Sequence, residues 1–129
     1  MKKIQLITLM LAALITTNFC YAQQNSEWKE MDAFTALVGK TLHPAERGNL
    51  QPVKDSAAVL LAKAKQWQAS VIPGDYKKEE TKKSLQELLD ECIAIKKAVD
   101  EKVADNKLKQ LVMSAHDTFH HITGVCKIK

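Results

Sequence analysis

Little in this chain points to covalent stapling. Three cysteines are too few for a disulfide-scaffolded small protein. Three prolines and four glycines are too few for a collagenous, low-complexity or turn-dense all-β chain. Aromatics make up only 5% of the residues. No Gly-rich phosphate loop, Gly-x-Ser-x-Gly, Cys-x-x-Cys or His-Glu-x-x-His occurs in the sequence, so the common nucleotide, hydrolase, thiol-redox and zinc-protease signatures are missing. The Glu-x-x-His pairs of di-iron carboxylate bundles are missing as well. The reading is therefore of a non-enzyme.

What is present begins with a leader-like N-terminus. Met1-Lys2-Lys3 is basic, Ile4 to Thr17 carries no charge, and Cys20 and Ala22 supply small residues before a cut after Ala22. That is the plan of a secretory signal peptide over 1–22. Its apolar stretch is shorter than the ~20 residues that span a bilayer. The expectation is export to the periplasm of a Gram-negative bacterium, with no membrane span once the leader is removed. Phe19 before Cys20, and Thr17 in place of a leucine, argue against a lipidated Cys20.

Removing 1–22 takes Lys2 and Lys3 away and lowers the net charge from +4 to +2. A nucleic-acid binder typically shows a stronger basic bias. Runs such as Lys77-Lys78-Glu79-Glu80 and Lys82-Lys83 interleave both signs and read as a solvated helix face.

Over 23–129 the apolar spacing is helical, interrupted at Pro44–Pro52, Pro73-Gly74 and Gly124. Ser26 is placed to cap a first helix over about 26–42, with Trp28, Met31, Phe34, Val38 and Leu42 on one face. His43-Pro44 should end it. Asn49 is placed to cap a second helix with the stripe Val53, Ala57, Leu60, Leu61, Ala64, Trp67 and Val71. Asp75 is placed to cap a third, with Leu85, Leu88, Leu89, Cys92, Ile95 and Val99. A fourth starts at Asp105, packs Leu108, Leu111, Val112, Ala115, Phe119 and Ile122, and ends at Gly124. The expected fold is all-α, a single up-down-up-down four-helix bundle. Cys92 reads as a buried small hydrophobe. Cys126 lies about 15 Å from it by helix rise, so the two should not pair within one chain; Cys126 is then free or pairs between chains.

Three of the four histidines fall within His116–His121. His116 and His120 stand at i and i+4 and project from one helix face, a chelating arrangement for one metal ion. His121 points away and should be solvated. In an antiparallel bundle Met31 comes level with His120, and a thioether opposite an imidazole suits haem or a soft metal such as copper. His43 ends the first helix at the other end of the bundle, about 10–15 Å from His116 along the axis. A joint His43–His116 site would require the first helix to stop early or shift. Otherwise His43, Glu46 and Asn49 fix the turn between helices.

An exported four-helix chain with Met31 near its start and Phe119-His120 near its end resembles the periplasmic b-type cytochromes and their relatives, cytochromes c′. That resemblance implies a cytochrome-like bundle with Met31 and His120 as axial ligands of haem b. The lack of Cys-x-x-Cys-His excludes covalent haem. His43-Pro44-Ala45-Glu46 and His116-Asp117-x-Phe119-His120-x-Ile122-x-Gly124-x-Cys126 more closely resemble a group of uncharacterised secreted bacterial bundles. The function expected is binding of a transition metal (copper, nickel or zinc) through His116, His120 and His43, or of non-covalent haem through Met31 and His120. The alternative is a cofactor-free structural or interaction protein of the cell envelope, partnered by another envelope protein or by a second copy of itself.

Overall fold

The computed structural model describes residues 28–129. The expected leader over 1–22 and the Ser26 cap lie outside the described residues. The described chain is helical, with no strand, and its one β-type pairing is an isolated antiparallel bridge between Tyr76 and Lys127. Four longer helices carry the fold: α1 (Lys29–Lys40), α3 (Gln51–Gln68), α4 (Lys78–Asp100) and α5 (Asp105–His120). A short α2 (Leu42–Glu46) follows α1, and a π-helical turn (His121–Val125) follows α5. No described helix is long and apolar enough to cross a membrane.

The expected stripes are the buried faces. Phe34 and Val38 from α1, Val53, Ala57, Leu60, Ala64 and Trp67 from α3, Leu85, Leu88, Cys92 and Ile95 from α4, and Leu108, Val112, Ala115 and Phe119 from α5 are all buried. Helix α3 packs on α1 and α4, and α4 packs on α5. Trp67 lies at the centre, its ring 5.6 Å from Trp28, 5.3 Å from Phe34 and 6.2 Å from Phe119. Few aromatics thus suffice, because most of them meet in one cluster. Val71 leaves its stripe: α3 ends at Gln68, and Val71 is 88% exposed in the loop beyond.

The boundary that matters most is the end of α1. It stops at Lys40, before the His43-Pro44 step. Thr41 is buried and leaves helical geometry, and its hydroxyl donates 2.6 Å back to the Leu37 carbonyl. The same carbonyl also accepts the Thr41 N–H at 2.9 Å, so hydroxyl and backbone donate to it together. The chain then turns into α2, which takes Pro44 in its first turn, where no N–H is needed. Gly48, at φ +92°, closes α2 in the left-handed region that favours glycine. Asn49 Oδ1 accepts the Gln51 N–H at 3.2 Å, one residue before the cap position. Helix α2 packs against both α3 and α5.

At the other end, Asp75 does not cap α4. The cap position is Lys77, and the Asp75 carbonyl accepts the Ile128 N–H at 2.7 Å. The C-terminal segment is thereby tied to the α3–α4 loop.

Candidate functional site

The break at Thr41 brings His43 to α5. The His43 and His116 rings lie edge to face, 5.1 Å apart by centroid. The expected axial separation of these two residues is therefore overturned: α1 stops early, and α2 carries His43 across to the α5 histidines. His116 and His120 meet as their i,i+4 spacing predicted, with Nε2 atoms 3.0 Å apart. One ring nitrogen from each of His43, His116 and His120 lies within 4.8 Å of the other two. His116 is buried, His43 half-buried and His120 exposed, so the group runs from the packed interior to solvent.

Glu46 completes the arrangement. Its Oε1 lies 3.0 Å from His116 Nδ1, which makes Nδ1–H the donor and leaves the Nε2 lone pair facing His120. Glu46 therefore does not serve the local turn. It sits three residues after His43 on the short helix, a spacing that puts both side chains on one face. Burial pushes the His116 pKa down; Glu46 and Asp117 oppose that, while His120 and His43 reinforce it. A neutral imidazole is the ligating form.

The spacing suits a small ion. At a Zn–N distance of 2.0–2.1 Å, two tetrahedral ligands stand about 3.3 Å apart. The 3.0 Å pair needs only a few tenths of an ångström of opening. For both Nε2 atoms to ligate, the proton that His120 Nε2 carries in this contact would move to His120 Nδ1, leaving both rings neutral.

Met31 stands in a different environment. Its sulfur accepts a hydrogen bond from the Tyr76 hydroxyl at 3.3 Å. Phe34, one turn on from Met31, packs at 6.0 Å against Phe119, and Phe119 lies 5.2 Å from the His120 ring. The Met31 thioether is thus engaged by Tyr76, and the His120 ring by His116 and Phe119.

His121 has a partner of its own. Its Nε2 lies 3.1 Å from Glu80 Oε1 on α4, and its side chain is 40% exposed. Cys92 and Cys126 are both unpaired and both buried. Burial and the neighbouring Glu91 push the Cys92 thiol up to about 12. The sequence singled out Glu46 but assigned it the wrong partner, and it held no signal for the pairing of Glu80 with His121, because that contact spans 41 positions.

No family model, curated protein or solved structure matches this chain.

Proposed function

We propose that this chain is an exported helical bundle that binds one transition-metal ion through His43, His116 and His120, without catalytic activity of its own. The observation that carries this reading is the convergence of three imidazole nitrogens, from two separate helices, within 4.8 Å. Zinc, copper(II) and nickel(II) all accept imidazole ligands. Glu46 acts one step out: by accepting Nδ1–H of His116 it fixes the tautomer and raises the basicity of the ligating nitrogen. Exposed His120 gives the ion a route from solvent and leaves a coordination position for water. The leader-like 1–22 segment supports export.

Titration calorimetry with zinc, copper(II) and nickel(II) tests the reading. The expected result is binding of at least one of them at this site, lost in the His116→Ala/His120→Ala double variant and weakened in His43→Ala. Equal binding by all three proteins, or none by the parent, overturns it. Added haemin giving a ligated Soret spectrum that Met31→Ala abolishes would replace the metal reading with the haem one.

A further inference from the structure

A second cluster, sharing no residue with the three histidines, begins immediately after α5 at His121. We infer that Glu80, His121 and Cys126 form a second metal site, one that takes a zinc-like divalent ion through sulfur, nitrogen and oxygen together. One ligand atom from each of the three residues lies within 4.8 Å of the others.

The backbone explains why His121 and Cys126 meet. In a continuous α-helix, residues five apart point about 140° away from each other around the axis. Here the chain runs as a π-helical turn over His121–Val125, and the Cys126 N–H donates to the His121 carbonyl at 3.0 Å. This i→i+5 bond widens the turn and brings Cys126 round to the side of His121. Such π-turns are rare and are found frequently at functional sites. The Lys77 N–H then donates to the Cys126 carbonyl at 2.8 Å, which fixes Cys126 against the start of α4. Glu80 stands in the first turn of that helix, with its Oε1 already 3.1 Å from His121 Nε2.

Cys126 is fully buried, while His121 and Glu80 are 40% and 39% exposed. The ion would therefore arrive from the His121–Glu80 side. That side opens on a groove of about 460 Å³, which Glu87 and Asp117 also line. Glu80, Glu87 and Asp117 there outweigh Lys83 in the lining and Lys77, whose Nζ stands 3.5 Å from Glu80 Oε2, so the balance favours a cation, and the groove admits the water that completes four-coordination. A thiolate, an imidazole and a carboxylate are an accepted zinc donor set. Binding breaks the S–H bond of Cys126, releases that proton to solvent and forms a metal–sulfur bond; no electron is transferred.

Cobalt(II), a coloured substitute for zinc, is the probe, added to the full chain under reducing conditions. A sulfur-to-cobalt charge-transfer band should appear in the near ultraviolet and persist in His116→Ala/His120→Ala. That double variant separates the second site from the first, so either can fail alone. Cys126→Ser should abolish the band. Half-exposed His121→Ala, which leaves the core untouched, should weaken zinc binding in that double-variant background at least about tenfold. Absence of the band from the parent overturns the assignment. So does a band that survives Cys126→Ser but vanishes in Cys92→Ser, or zinc binding that His121→Ala leaves unchanged.

Discussion

His116 Nδ1 and Glu46 Oε1 stand 3.0 Å apart, joining α5 to the short helix that follows α1. The contact orients the buried ring and decides which of its nitrogens is free. Carboxylates that hold a ligating histidine in this way typically contribute 10–100-fold to metal affinity. Glu46→Ala should therefore weaken binding at the His43/His116/His120 group by about 10–100-fold, with Glu46→Gln falling between. Calorimetric titration against a competing chelator measures the difference.

Acid should weaken the metal-free protein through His116. Burial, with His120 and His43, lowers its pKa, while Glu46 and Asp117 act the other way. A histidine whose folded pKa is depressed contributes stability above its unfolded pKa of about 6.5, and loses it as pH falls through the folded value. Chemical denaturation of the parent should show falling stability as pH drops below about 6.5. In His116→Gln that component should be absent and the profile flatter.

Glu91 has the opposite sign. Burial raises its pKa, the hydroxyls of Ser114 and Thr118 partly offset that, and Glu87 and Asp117 add to the rise. Its Oε2 is buried without a hydrogen-bond partner, while Ser114 donates to Oε1 at 2.5 Å. A carboxyl raised in the fold favours folding below its unfolded pKa and loses that contribution as pH rises through the folded value. Glu91→Gln keeps an acceptor for Ser114 and removes the charge. Its Tm should exceed that of the parent at pH 7, and the advantage should shrink as pH falls toward about 4.5 and be gone below it.

Trp28 is anchored by one polar contact: its indole N–H donates to Ser70 Oγ at 2.8 Å, and the Ser70 hydroxyl donates to the Trp67 carbonyl at 2.6 Å. Trp28 is only 3% exposed. Ser70→Ala leaves that N–H without its partner and should cost about 1–3 kcal/mol. Trp28→Ala also opens the aromatic cluster and should cost about 3–5 kcal/mol. Urea denaturation resolves both.

Cys92 should be inert in the folded state. It is 1% exposed, with its thiol pushed up to about 12, so almost no thiolate is present at neutral pH. Alkylation followed by peptide mapping should find Cys92 unmodified in the native protein and modified after denaturation.

Helix identity and buried faces were legible from apolar spacing, because every longer helix presents a stripe such as Leu108, Val112, Ala115 and Phe119 to one core. The His116–His120 pair was legible for the same reason: i,i+4 neighbours meet whatever surrounds them. His43 was misplaced because the local rule at a proline pointed to a stop at residue 43. The backbone leaves helical geometry at Thr41 instead, and a one-turn helix then fits where a loop was expected. The Tyr76–Met31, Glu46–His116 and Glu80–His121 contacts span 45, 70 and 41 positions. Such pairings depend on which helix ends meet in space, and periodicity within a single helix carries no information about that.

The most direct measurement is nitrogen NMR of the histidine rings during zinc titration, made in His121→Ala so that the second cluster is crippled. The ring nitrogens of His43, His116 and His120 should all shift together and reach their end point at one equivalent of zinc, with Nδ1 of His116 remaining protonated toward Glu46. Rings that do not respond to zinc, or a response confined to His116 and His120 with His43 unmoved, would contradict a three-histidine centre.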